Sequence, residues 1–454
     1  MHDRPLIQRQ LGIHWFLVVA IISIASSVGA EITAKTVQEI LVSEWLARFE
    51  IAEGSANDTV GLNPLLIRAL DRNRTLQAKA AQYDAATASI PQATSLPDPK
   101  LVYSEQLRSV ETRVGPQRRA LSLTQSFPWF GTLGQAGNVQ QAKVVAARTE
   151  IEAAILDVVL GVKSEYAELA FLDQELRITR NHIDLLTRWE HAAEAGYATG
   201  RGRYADLIKV QVEIAILNDR LAGLVDRRGP VLAALNAWTD DPAGRMVTAS
   251  LDSSALGVDF SLEPILGPML SVNPALARWD AVAAGFEDSG RLARTRGRPT
   301  MTLGLNYIQV DESVMPDVQD TGRDAVSVSL GLSLPIWRSG FNAAVDEAAA
   351  RRMAALASRA DLVNTLTARL EKALFTARDA QRKVELYGST LLPKAEQSLT
   401  AARTAYEAGE GGLLDMIDAE RVFLEFEISC ARAVADRQIA VATIEHLTAT
   451  PLTE

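Results

Sequence analysis

Side chains able to do acid–base, metal or nucleophilic chemistry are few and scattered. The histidines are His2, His14, His182, His191 and His446, and the first two lie near the N-terminus. His182 and His191 are too far out of phase to share one helix face. Cys430 is the only cysteine, so no internal disulfide forms. Its helical setting, Glu425-Phe426-Glu427-Ile428-Ser429-Cys430, suits a small buried filler better than a reactive thiol. No Cys/His pair has zinc-ligand spacing, and no glycine-rich phosphate loop or nucleophile motif appears. The expectation is no enzyme, no cofactor and no metal centre. Asp415 and Asp418 are different. Their spacing puts both on one helix face. The plainer reading is two acids favoured by the dipole of a helix N-terminus.

The elements that position these acids follow a targeting segment. Met1–His14 carries Arg4 and Arg9, Trp15–Ala25 is apolar apart from Ser23, and Val28-Gly29-Ala30 offers small residues for cleavage. This layout predicts a secretory signal peptide over 1–30, with Glu31 as the mature start. The apolar run of about eleven residues is too short for a bilayer, which takes about 20. An uncleaved N-terminal anchor is the alternative. No later stretch is long and charge-free enough to be a transmembrane helix, so a membrane form has to be a β-barrel. Residues 31–60 form an extension of unknown role. A 48% share of hydrophobic residues excludes disorder, and a net charge of −10 argues against nucleic acid as a partner.

One pattern then occurs twice, over 61–262 and 263–454. Asn63-Pro64-Leu65-Leu66 returns as Asn273-Pro274-Ala275-Leu276. Ser126-Phe127-Pro128-Trp129 returns as Ser333-Leu334-Pro335-Ile336. Tyr197-Ala198-Thr199-Gly200 returns as Tyr406-Glu407-Ala408-Gly409, and Asp206 and Lys209 stand where the second half has Asp415 and Asp418. Each separation is about 210 residues, far too long for a solenoid repeat, so the chain is a duplicated half-molecule.

Each half opens on a helix, Asn63–Ser89 or Asn273–Arg296, with Asn as cap and Pro at the first helical position. Pro91 and Pro299 are expected to stop these helices. Strand pairs follow, at about 100–127 and about 300–334. Val326, Val328, Leu330, Leu332 and Leu334 alternate with Ser327, Ser329, Gly331 and Ser333, giving one apolar face and one small-polar face. Helical hairpins come last, 132–238 and 340–448. From Ile151 to Leu176 the apolar residues recur at the helical period, and a helix from Gln135 to Ala198 would be about 90 Å long. Pro393 is expected to kink or break the matching stretch Asn342–Ala408. Second helices are expected at Asp206–Arg228 and Leu413–Leu447, each after a glycine-rich turn. The fold class is mainly α with a small β part.

Four strands do not close a barrel, and open edges are not tolerated in lipid, so membrane insertion needs several chains. The order of Asn-Pro helix, strand pair, Phe127-Pro128-Trp129-Phe130-Gly131 junction, long helix and Tyr-x-x-Gly turn, present twice, resembles the TolC outer-membrane efflux family over roughly 60–450. Its most specific pieces are Tyr406–Glu420 and Tyr197–Gln211. A weaker likeness, through Ser95–Leu101 and the same junction, points to the branch exporting heavy-metal cations. The resemblance implies a homotrimer, with four transmembrane strands per protomer in a twelve-stranded barrel and a long antiparallel helical barrel in the periplasm. It implies partners: a periplasmic membrane-fusion adaptor, an inner-membrane pump and outer-membrane lipid. The turns Gly200-Arg201-Gly202 and Gly409-Glu410-Gly411-Gly412 would contact the adaptor. Asp415 and Asp418 would form carboxylate rings at a constriction, with Asp206 and Lys209 as the unequal contribution of the first half. The competing readings are a periplasmic coiled-coil structural or adaptor protein outside the membrane, and a secreted enzyme.

Overall fold

Long helical periodicity and sparse proline let this chain run far before it turns. The computed structural model describes residues 34–49, 61–200, 202–251, 260–315 and 319–452. The expected signal peptide and Arg201 lie outside the described residues. The elements are α1 (Ala34–Arg48), α2 (Leu62–Arg72), α3 (Arg74–Thr94), β1 (Lys100–Val110), β2 (Gln117–Phe127), α4 (Thr132–Ala198) and α5 (Tyr204–Trp238). Then come α6 (Glu263–Val272), α7 (Pro274–Arg296), β3 (Thr300–Val310), β4 (Ala325–Ser333), α8 (Arg338–Glu385), a π-helical turn (Leu386–Leu391), α9 (Leu392–Glu407) and α10 (Leu413–Thr448). Among the described residues no helix is long and apolar enough to cross a membrane. α4 has 67 residues, a rod of about 100 Å.

The structure corrects the opening of the first half. The helix expected over Asn63–Ser89 is two helices, and Asn63 lies inside the first turn of α2, behind Gly61. The true cap is Asn73. Its Oδ1 accepts from the backbone of Thr75 at 2.9 Å, and its Nδ2 donates to the Trp238 carbonyl at 3.0 Å. Asn273 does the same in the second half, accepting from Ala275 at 2.9 Å and donating to the Leu447 carbonyl at 2.8 Å. Each asparagine thus starts one helix and covers an open carbonyl in the last turn of another. Asn73, not Asn63, is the counterpart of Asn273. Pro91 does not stop its helix either. It sits in the last turn of α3, where a missing N–H costs a single bond, and Ser95 closes the end on the Pro91 carbonyl at 3.0 Å. α5 likewise runs on through Gly229-Pro230 to Trp238, ten residues past the expected end at Arg228. Pro393 falls at the start of α9, and the π turn before it absorbs the lost ladder bond.

The sheet is antiparallel in the order β1-β2-β3-β4. Its register gathers the apolar residues of all four strands on one face. Leu101, Leu123, Leu305 and Val328 form one row, and Tyr103, Leu121, Tyr307 and Val326 the next. The other face carries the row Val102, Ser122, Asn306 and Ser327, tied by Ser122 Oγ to Asn306 at 2.6 Å. The apolar face is bare: Leu330 is 79% exposed and Val328 73%. Among the described residues, the outer edges of β1 and β4 have no partner strand.

The interior is a series of clusters along the helices. In the 31–60 extension, α1 buries Leu41 and Trp45 against Leu65, Leu66 and Ile155, and Arg48 reaches the Ala449 carbonyl at 3.3 Å. A second cluster joins α4, α5 and α10 through Trp189, Leu207, Val210, Met416 and Ile417. α4 and α5 cross closely at Gly161, where an added Cβ would stand 2.3 Å from the Trp238 indole. Gly161→Ala is expected to force that ring and the end of α5 aside, at about 1–3 kcal/mol. A lowered denaturant midpoint for full-length protein would show it, and an unchanged midpoint would count against the packing account.

Candidate functional site

The two glycine turns join the long helices in the same way. Gly200 and Gly409 have φ of +72° and +78°, and their N–H groups donate to the Tyr197 and Tyr406 carbonyls at 3.0 Å. Only a residue without Cβ takes this conformation freely, which is why both turns need glycine at that point. In the first turn Gly202 donates to Gly196, and in the second Glu410 and Gly411 both donate to Ala405. Arg201 is outside the described residues; the other expected contact residues lie at these reversals, and Gly409 and Glu410 are exposed.

The four expected constriction residues lie just past the turns, within the first two turns of α5 and α10. Asp415 takes the third helical position, where its Oδ2 accepts from the Gly412 N–H at 3.2 Å. This is the capping role that a helix N-terminus favours. Asp418, one turn on, is exposed and 3.7 Å from Arg421. Asp206 is held by Arg203, whose Nε and Nη2 donate to its two carboxylate oxygens at 3.1 Å. Lys209 is exposed and, among the described residues, makes no ion pair within the chain. The three acids are therefore not alike. Asp206 is neutralised locally, Asp415 is tied to backbone, and Asp418 has the loosest partner.

Behind these residues lies a polar core that sequence reasoning set aside. His182 on α4 is 3% exposed. Its Nδ1 meets Glu420 and its Nε2 meets Glu427, each at 2.6 Å, so both ring nitrogens face carboxylates of α10. Burial alone pushes the imidazole toward neutrality. The hydrogen bonds and charges of Glu420 and Glu427 outweigh it and raise the pKa to about 9. The side chain is an imidazolium donating at both ends. Next to Glu420, Arg421 donates to the buried Glu213 of α5 at 3.0 Å. Higher up, Glu168 of α4 accepts from Arg227 of α5 and Arg432 of α10, each at 2.6 Å. α10 is thus pinned to both neighbours just behind Asp418. The signal for the clamp was present in sequence: Glu420 and Glu427 are two turns apart on one face. Nothing local said that His182 would meet them. Cys430 is half-buried, and burial pushes its thiol up, which makes it a poor nucleophile. Among the described residues no three His, Cys, Asp or Glu side chains are grouped to hold a metal ion.

With this geometry in view, the comparison with known families is decisive. The family model described as outer membrane efflux protein matches residues 65–237 and 267–450, most of the chain and both halves. This chain belongs to the outer membrane efflux protein family. Within that family, the cobalt-zinc-cadmium resistance protein CzcC of Cupriavidus metallidurans is 22% identical over 392 residues, covering 85% of this chain and 89% of CzcC. The outer membrane protein VceC of Vibrio cholerae has a similar fold, with a TM-score of 0.70, 18% identity, and coverage of 86% of this chain and 96% of VceC. CusC, a transmembrane channel, gives 0.70, 17%, 85% and 92%. The family match supports an efflux role and an outer-membrane setting, and VceC and CusC share the fold.

Proposed function

We propose that this chain is one protomer of a homotrimeric outer-membrane channel, which conducts solute passively from the periplasm to the exterior. It is coupled through a periplasmic membrane-fusion adaptor to an inner-membrane pump. One observation carries the reading. A four-stranded sheet with a bare apolar face and, among the described residues, two unpaired edges stands on the end of long helices, the longest about 100 Å. In water such a face and such edges are liabilities. In lipid they are what insertion needs, once three chains join edge to edge into twelve strands with the Ser/Asn/Gly face around a wet lumen. A periplasmic coiled-coil protein gains nothing from this face.

The glycine turns, at the far end of the helices from the sheet, are the proposed adaptor contacts. Asp415 and Asp418 are the proposed constriction, since a threefold axis would bring each acid near two copies of itself. Asp206, already paired with Arg203, contributes less, and exposed Lys209 is free to pair with Asp418 of a neighbouring protomer. CzcC is named for cobalt, zinc and cadmium resistance, and this supports divalent metal cations as the cargo class. The test is cell fractionation with native sizing. Full-length protein should sediment with outer membranes, need detergent for release and run as a trimer. Cells lacking it should lose tolerance to cobalt, zinc and cadmium. A monomer released by osmotic shock would favour the periplasmic coiled-coil reading.

A further inference from the structure

One basic cluster has no use in conduction. α7 ends and β3 begins through Arg294-Thr295-Arg296-Gly297-Arg298-Pro299, and Arg338 opens α8 just after β4. All four guanidinium groups are exposed, and among the described residues none has a carboxylate within ion-pair distance. Their neighbours on the same helices do: Arg291 pairs with Glu287 and Asp288, Arg351 with Glu347, and Arg359 with Asp280. The repeat shows that the fold does not require the cluster. Aligned on Asn73 and Asn273, and on Pro99 and Pro299, the first half has Thr94, Leu96 and Asp98 at the places of Arg294, Arg296 and Arg298. After the second strand, Gly131 stands for Arg338.

The surroundings indicate what the arginines meet. They lie at the helix end of the sheet, where Thr300 pairs with Ser333. Leu334 continues the apolar face of Leu330 and Leu332, and Leu334, Ile336 and Trp337 are 63%, 69% and 81% exposed. A cavity of about 810 Å³ opens there, lined by Arg294, Arg298 and Arg338 together with Leu334, Ile336 and Phe341. A neighbouring cavity across Phe341 is lined by Arg296 and Trp337. Cations without protein partners, at the foot of an apolar face and beside an exposed indole, match the boundary between acyl chains and headgroups. Guanidinium groups grip phosphate through paired N–H bonds.

We propose that Arg294, Arg298 and Arg338, with Arg296 beside them, form a binding site for the phosphate of a glycerophospholipid in the periplasmic leaflet of the outer membrane, with its acyl chains lying along Leu334 and Leu332. The proposal rests on the sheet being membrane-inserted. The site favours anionic headgroups, and its absence from the first half gives one lipid per protomer.

The test is native mass spectrometry of the full-length trimer released from nanodiscs of dioleoylphosphatidylglycerol, with dioleoylphosphatidylcholine discs and inorganic phosphate as separate probes. Wild type should keep phosphatidylglycerol adducts, up to one per protomer. R294Q/R298Q/R338Q should retain on the order of a hundredfold less, as expected for three interfacial arginines. R351Q/R359Q, which touches only paired surface arginines, should behave as wild type. Equal retention by the triple variant overturns the site. Saturation by inorganic phosphate with no phosphatidylglycerol adduct overturns the lipid assignment. Loss of the trimer in the triple variant, with wild type and control intact, shows that the cluster faces a neighbouring protomer and overturns it too. Failure of wild type to enter nanodiscs strikes the channel reading itself, and is scored before any adduct is counted.

Discussion

His182→Ala is expected to destabilise the helical hairpins by about 3–5 kcal/mol, the cost of leaving buried charge without its partner. The variant leaves Glu420, fully buried, and Glu427 side by side on the face of α10 that packs on α4, with no imidazolium between them. Arg421, next to Glu420 in sequence, is already engaged by Glu213. The same clamp fixes a pH dependence. His182 has its pKa raised to about 9 from an ordinary 6.5. A raised folded-state pKa means the imidazolium contributes in full below 6.5, and the contribution is lost as pH rises through about 9. The shift amounts to about 3 kcal/mol. Wild type should therefore lose stability between pH 7 and pH 9.5, and His182→Ala should lose little more over that window. Denaturant midpoints of full-length protein, followed by helical circular dichroism at pH 6 and 9.5, give both numbers. Parallel pH profiles for the two proteins would remove the clamp from the account. Glu427, part-exposed, should matter less than Glu420 when each is changed to glutamine.

The largest effect on conduction is expected from Asp415→Asn/Asp418→Asn. If three copies of each acid surround one axis, their removal takes away the dominant charge at the narrowest point. Cation selectivity should fall on the order of tenfold, as for other focused fields in narrow passages, and single-channel conductance should change with it. Asparagine is the informative substitution. It keeps an oxygen to accept from the Gly412 N–H, so the start of α10 stays capped, whereas alanine would add a cap loss of about 1 kcal/mol. Planar-bilayer recordings that are unchanged in selectivity would keep the channel and remove the constriction from these two residues. The geometry also predicts an order within the set. Asp418, exposed and only 3.7 Å from Arg421, should act more than Asp415, and Asp206, gripped by Arg203, least.

Much of this architecture is set by local pattern. Period-two alternation places Val326, Val328, Leu330 and Leu332 on one face whatever the partner strand, because successive side chains of a strand point to opposite sides. The recurrence from Ile151 to Leu176 forces a buried helical stripe for the same kind of reason. Gly200 and Gly409 mark reversals because few other residues take positive φ. These features depend on residues within a few positions of one another, and so the sequence by itself determined them. Other features depend on which distant residues meet, and only the tertiary structure decided those. Asn63, followed by a proline, reads as the cap in sequence, yet Asn73 caps in the structure. The choice falls on Asn73 because its amide also covers the carbonyl of Trp238, 165 residues away in sequence. His182 looks like one more helix residue until α10, running antiparallel to α4, brings Glu420 and Glu427 to its two nitrogens. A buried charge is tolerable only where a partner arrives, and its arrival is a property of packing rather than of the neighbouring sequence.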